Sequence, residues 1–481
     1  MKNNFFVCLS ALIFFTACES NTTPPEAVMP VPNEYQLAWH ELEQYAFVHF
    51  TINTFTDKEW GYGDESPSLF NPSEFDAEQW VTTIKDAGLK ALILTCKHHD
   101  GFCLWQSQYT EHSVKNSPFR DGKGDLVKEV SDACRKHGLL FGVYLSPWDR
   151  NHAQYGEAEY VTYYRNQLNE LLSNYGEIFE LWFDGANGGD GYYGGARERR
   201  RIDNRSYYDW QNTWSSVRNM APNILMFSDA GPDIRWCGNE RGYAGETNWC
   251  TISPDTLHPG KSRINNLLNN GSEDGTAWIP AEVDVSIRPG WFYHEAEDEK
   301  VRTAKNLFKI YLESVGRGAN LLLNLAPDKR GLIPDNDVTA LREWKKLRDE
   351  AFNDNLAKNA AISANNVRGK SKQYAAENII DGNKDTYWAT DDEVKTGSLV
   401  IDLHNTHKVS YISIQEFIKL GQRVKSFEVE IWQGDNWVNV ASCTTIGYKR
   451  IIALENAETS KIRINITDAK AAIVISNLEI Y

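Results

Sequence analysis

Two carboxylates stand where carboxylates can do covalent work. The run Glu180-Leu-Trp-Phe-Asp184-Gly carries an apolar stretch into an acid followed by glycine, and Gly231-Pro-Asp-Ile-Arg-Trp-Cys-Gly-Asn-Glu240 ends on a second acid. An apolar stretch that stops on Asp-Gly can do so only to make a turn, and a Glu in a Gly/Asn loop can be solvated surface. Taken together they match the needs of glycoside hydrolysis: one carboxylate as nucleophile, one carboxylic acid to protonate the leaving oxygen. Glu246 and Glu282 are alternative acids nearby, and loss of Asp229 or Asp233 would act through loop structure. His98 and His99 are adjacent after an apolar run. Neighbouring strand residues point to opposite faces, so at least one of them leaves the strand pattern. Cys96, His98, His99 and Cys103 also invite a zinc reading, but their spacing fits no common tetrahedral site. Trp60, Trp182 and Trp236 flank these groups, and indole faces suit the apolar face of a pyranose. Trp80, Trp214 and Trp344 fall in helical patterns and read as packing.

The elements that must hold these residues alternate. Strand patterns at 45–51, 91–95, 139–145, 178–183, 224–228, 282–287 and 320–325 are interleaved with helical patterns at 75–87, 125–136, 160–175, 208–220, 300–315 and 337–352. Such alternation over this length predicts an α/β fold, a (β/α)8-like (TIM) barrel over 35–352. Seven strands rather than eight make it irregular. His49, His98, Trp148, Asp184 and Asp229 all fall just past strand patterns, the end that carries the active site in such barrels. Asp184 and Glu240 are expected on neighbouring strand–helix loops. Residues 188–204 form a polar insert between them, either a loop shaping the outer subsites or solvated surface. Beyond it, 353–481 changes to short alternating runs with turn signals, an all-β sandwich.

The chain has 481 residues, 16 Trp and a net charge of −16, an acidity that excludes nucleic acid as a partner. Residues 1–17 read as a signal peptide whose small residues before Cys18 resemble a bacterial lipobox. The expected product is an exported lipoprotein, periplasmic or outer-membrane anchored. A lipidated Cys18 and a Pro/Thr/Asn-rich tether (18–34) would then be its only membrane link. The remaining cysteines show no disulfide framework.

Several motifs occurring in order are specific enough to name a family. Tyr45-Ala-Phe-Val-His49, Glu59-Trp60-Gly, Thr95-Cys-Lys-His98-His99-Asp-Gly, Val143-Tyr144-Leu-Ser-Pro-Trp148 and Leu181-Trp-Phe-Asp184 resemble the α-L-fucosidases of glycoside hydrolase family 29. The stretch ending at Glu240 resembles the branch of that family cleaving α-1,3/1,4-fucosyl linkages in Lewis-type glycans. The resemblance implies Asp184 as nucleophile and Glu240 as acid/base. It also implies that His49, Glu59, Trp60, His98, His99, Tyr144 and Trp182 hold the fucose, with Trp236 beside them and Glu282 reading the neighbouring galactose. Double displacement with retention follows, which calls for carboxyl groups about 5–5.5 Å apart. No metal or organic cofactor is required for catalysis, and the partners are fucosylated oligosaccharides or glycoproteins. The segment 377–388 and the closing Leu478-Glu-Ile-Tyr481 resemble discoidin-like, galactose-binding-like sandwiches. That likeness implies a possible structural calcium at Asp381, Thr386 and Glu479. Three other readings stay open: another retaining exo-glycosidase, such as one acting on galactose, a non-catalytic glycan-binding lipoprotein, or a metal-dependent hydrolase centred on His98 and His99.

Overall fold

The structure is a computed structural model describing residues 22–481, apart from the side chain of residue 456. The expected signal segment and Cys18 lie outside the described residues. Eight parallel strands close a barrel: β1 (Gln44–Val48), β2 (Ala91–Lys97), β3 (Leu140–Leu145), β4 (Glu180–Trp182), β5 (Leu225–Ser228), β6 (Ile234–Trp236), β7 (Ala281–Ser286) and β8 (Asn320–Leu325). The barrel is therefore complete, and β6 is the strand the alternation missed. It is three residues long and follows β5 across a five-residue connection with no helix, so no periodic segment announces it.

The outer helices form as their patterns require. In α1 (Ala77–Asp86) Trp80, Val81 and Ile84 are buried, and the Asp76 side chain accepts from the backbone N–H of Glu78 and Gln79. Asp76 therefore opens this helix. In α2 (Leu126–His137) Asp125 caps the start, and Gly138, at φ 73°, closes the end where a side chain would be strained. Trp80 and Trp344 are fully buried packing residues, as their helical positions suggest.

The sandwich contains β9 (Ala361–Ala364), β10 (Trp388–Ala389), β11 (Gly397–Glu416), β12 (Val424–Gln433), β13 (Asn436–Cys443), β14 (Arg450–Ala469) and β15 (Val474–Ile480). Their order is β10-β15-β11-β14-β12-β13, with β9 also on β11, all antiparallel. Alternate residues of β11, such as Leu399, Ile401 and Leu403, face a separate apolar core. The domain docks on the barrel through buried polar contacts. Gln422 accepts from the Cys250 N–H (2.7 Å) and donates to the Asn248 carbonyl (2.9 Å). Asp381 and Thr386 meet in one turn, where the hydroxyl donates to Asp381 Oδ2 at 2.8 Å. Glu479 lies in β15, opposite Ser413 and beside Tyr481.

The described part of the supposed tether is docked rather than free. Val28 N–H donates to the Leu420 carbonyl (2.9 Å), Arg368 Nε to the Thr23 carbonyl (2.7 Å), and the Tyr374 hydroxyl to the Thr22 carbonyl (3.1 Å). Prolines removed its helical options, and the sandwich loops satisfy the backbone carbonyls left over.

Candidate active site

A cavity of about 240 Å³ opens at the C-terminal end of the barrel strands. It is lined by His49, Trp60, His98, His99, Tyr144, Trp182, Asp184 and Glu240, all expected from the sequence, and by Phe47, Ala186, Asp284 and Trp291. Asp184 follows β4 and Glu240 follows β6, so β5 stands between them. They are not on neighbouring loops, because the missed strand shifts the count by one.

Asp184 is held on both oxygens. Tyr144 donates its hydroxyl to Oδ2 at 2.9 Å and the Ala186 N–H donates to Oδ1 at 2.7 Å. His99 Nε2 lies 3.8 Å from Oδ2. Gly185 is required sterically, because a Cβ there would fall 2.1 Å from Asp229 Oδ2. Asp229 also accepts from the Gly260 N–H (2.8 Å), and burial with the Asp184 charge pushes its carboxyl up to about 7. Asp233 instead accepts from Arg218 and the Met226 N–H, away from the cavity.

Glu240 stands at the open side of the cavity, yet its surroundings exclude enough water to raise its pKa. Desolvation is the main cause, followed by the negative charges of Asp184 and Glu59. Trp291 Nε1 approaches its Oε2 at 3.4 Å. The alternative acid Glu246 is 76% exposed in its side chain and faces Arg317 near the sandwich, not the cavity.

The three histidines are neutral at pH 7, and their partners set their tautomers. Burial lowers His49 to about 3 and His99 to about 4, the latter despite the opposing pull of Asp184, and lowers His98 strongly. His49 Nδ1 faces Asn324 Oδ1 at 2.7 Å, and the Asn324 amide nitrogen is committed to Ser286 Oγ and the Trp291 carbonyl. His49 Nδ1 therefore carries the proton, leaving an Nε2 lone pair. His99 Nδ1 faces Ser146 Oγ at 2.7 Å, and that hydroxyl donates to the Trp148 carbonyl, so its Nε2 is likewise an acceptor. His98 is opposite. Asn53 Oδ1 accepts from Gly61, so its amide nitrogen donates to His98 Nδ1 (3.4 Å), which puts the proton on Nε2.

Three of the expected residues stand outside the cavity lining. Glu282 is fully buried at the start of β7, beneath the cavity floor. It accepts from Tyr45 and from Trp182 Nε1 (2.8 Å) and sits against Glu180, so it props Trp182 and does not reach a second sugar. Glu59 does not line the cavity. Its carboxylate accepts from the N–H of Trp291 (2.9 Å) and Phe292 (3.1 Å) and contacts His294 (2.8 Å), fixing the loop that presents Trp291. Trp236 is half-buried outside the lining and donates to Asp284 Oδ1 at 2.8 Å. Asp284 and Trp291 belong to the site-like run 282–291, and alternation from Glu282 places Asp284 on the same inward face.

Trp60 is 53% exposed and forms the rim, edge-on to His99 and Trp148. In the insert, Gly189–Gly191 pairs with Glu198–Arg200 as a hairpin. Tyr193 ties it to Trp148, accepting from the indole at 3.0 Å and donating to the Gly189 carbonyl at 2.9 Å. Cys96 and Cys103 sulfurs turn to the Leu94 and Gly101 carbonyls rather than toward the histidines.

Comparison with known proteins agrees with this geometry. The alpha-L-fucosidase family model matches residues 25–347, and the F5/8 type C domain model matches residues 343–478. The chain is 39% identical over 484 residues to Alpha-L-fucosidase 1 of Arabidopsis thaliana, covering 99% of this chain and 92% of the plant protein. A glycoside hydrolase 29 family member from an unknown rumen bacterium superposes with a TM-score of 0.85 at 44% identity, over 95% of this chain and 78% of that one. A Ruminococcus gnavus GH29 fucosidase solved in complex with fucose gives a TM-score of 0.86 at 34% identity, over 96% of each chain.

Proposed function

The chain belongs to the α-L-fucosidase family of glycoside hydrolases, and we propose that it is a retaining exo-fucosidase removing α-1,3/1,4-linked L-fucose from Lewis-type branched glycans. Asp184 is the nucleophile and Glu240 the acid/base. The observation that carries this reading is the pairing of their environments in one cavity. Asp184 is oriented by two hydrogen-bond donors, one on each oxygen, while Glu240 is pushed toward the protonated form.

Asp184 attacks the anomeric carbon while Glu240 gives its proton to the departing oxygen. The fucosyl-enzyme ester then yields to water deprotonated by Glu240, with net retention. The tautomers supply one imidazole donor, His98 Nε2–H, and two acceptors, His49 and His99 Nε2, for the sugar hydroxyls. Phe47, Tyr144, Trp182 and Trp291 offer aromatic surface to the methyl group that distinguishes fucose. Export as a lipid-anchored protein would bring the enzyme to such glycans outside the cytoplasm.

The test is incubation with Lewis a and Lewis x trisaccharides, an aryl fucoside and an α-1,2-fucosylated glycan. Release confined to the branched trisaccharides is expected. Preference for the α-1,2 linkage would overturn the linkage assignment, and release of D-galactose instead of L-fucose would overturn the sugar.

A further inference from the structure

The cavity contains a third carboxyl group that the double-displacement scheme leaves unused. Asp284 lies mid-way along β7 and is only 3% exposed, yet it lines the cavity. Its side-chain partner is the Trp236 indole, which donates to Oδ1. A carboxyl group offers about four acceptor sites, so one indole leaves most of its capacity unspent. A carboxyl oxygen bordering the cavity can take a further hydrogen bond from a group that enters it.

The surroundings narrow what can arrive. No lysine or arginine lines the cavity among the described residues, while Asp184, Glu240 and Asp284 all do. An anionic sugar would meet the Asp184 carboxylate with no cation in the lining to offset it, so the ligand that fits is neutral and hydroxylated. In register, Glu282 of β7 pairs with Trp236 of β6, and Asp284 stands two residues further up, on the Glu240 side of the barrel. Burial and the neighbouring Glu240 and Glu282 charges favour a proton on Asp284, which lets it donate as well as accept.

We propose that Asp284 is a further substrate-binding residue, its Oδ2 hydrogen-bonding one hydroxyl of the bound sugar from the cavity floor, with Trp236 as its positioning residue. This rests on the fucose reading of the cavity. It assigns Asp284 a direct contact and moves Trp236 from contact to support.

The experiment is equilibrium binding of L-fucose and its 2-, 3- and 4-deoxy analogues by calorimetry to the full chain. The proteins compared are wild type, Asp284→Val, Trp236→Phe and the double variant Trp236→Phe/Asp284→Val. The double variant removes both partners together, which protects the fold from an unpaired indole N–H. Loss of one hydrogen bond should weaken fucose binding by about tenfold in Asp284→Val and in the double variant. One deoxy analogue should bind wild type about tenfold more weakly than fucose does. That analogue alone should lose nothing further when Asp284 is replaced. Trp236→Phe should give a smaller loss that keeps the same analogue pattern. Unchanged fucose binding in the double variant, or equal further losses for all three analogues, would overturn the assignment of Asp284. If wild type binds no L-fucose and releases none from any glycan, the fucose reading itself falls, which is a different result.

Discussion

Glu282 was expected to touch a second sugar, and its buried place makes a quantitative prediction instead. Burial pushes its carboxyl from an ordinary 4.5 up to about 7, with Glu180 also raised beside it. In the unfolded chain the same carboxyl ionises near 4.5. Below that pH both states hold the proton and the site is neutral to stability. Between about 4.5 and 7 the folded state binds more protons than the unfolded one, so stability falls as pH rises. Above about 7 the full penalty applies, on the order of a few kcal/mol at about 1.4 kcal/mol per pKa unit and shared with Glu180, whose carboxyl Glu282 also raises. Glu282→Gln keeps an oxygen for Trp182 Nε1 and turns its amide toward the Tyr45 hydroxyl, which can accept it while donating to Glu180, but it cannot titrate. The difference in stability between variant and wild type should therefore grow in the variant's favour from pH 5 to 8. Thermal unfolding across that range measures it. Asp100, Asp229 and Glu416 are also raised to about 7, but they are common to both proteins and cancel in the difference. Turnover of a Lewis trisaccharide should stay within several-fold of wild type, since Trp182 keeps its acceptor. A difference that is flat with pH, or a loss of activity confined to substrates bearing galactose, would refute this account.

Asp184→Asn should lower kcat by at least about a thousandfold with the melting temperature held, read on a Lewis trisaccharide beside a melting curve. Glu240→Gln should cost about 10²–10⁴ in kcat. In wild type, kcat/KM should decline on the alkaline side as Glu240, raised above its ordinary 4.5, loses its proton, and that limb should vanish in the variant. On the acid side, activity should persist until the pH nears about 4, where His99 gains a proton and its Nε2 stops accepting. Gly185→Ala should displace the Asp184 loop, because its Cβ would strike Asp229 Oδ2. A loss of about a hundredfold in kcat/KM is expected, with partial recovery in Gly185→Ala/Asp229→Ala as the measurement that ties the loss to that collision.

The difference between what could be read from the sequence and what could not follows from how each residue reaches the cavity. His98 and His99 follow the seven-residue β2, and Asp184 follows β4, which is short but lies in the continuous apolar run 178–183, so their position at the barrel mouth is legible in the sequence, and the family motifs agree on the same residues. Glu240 was legible as a motif but not as a place. Three residues of β6 after a helix-free connection carry no alternation, and missing that strand put Glu240 one loop too close to Asp184. Glu59 and Glu282 have the right chemistry in the right motif, but a carboxylate two residues lower on a strand, or turned toward a neighbouring loop's N–H groups, supports the wall instead of forming it. Asp284 shows the converse. Glu282 and Asp284 share one inward face, and the strand's rise of about 3.3 Å per residue separates them by more than 6 Å in depth. Which of the two meets the sugar depends on where Trp182 caps the barrel core. That level is set by packing of Trp182 on Phe227 and Tyr144, rings from two other strands. Alternation within one strand specifies the face, and only the stacked layers of all eight specify the depth.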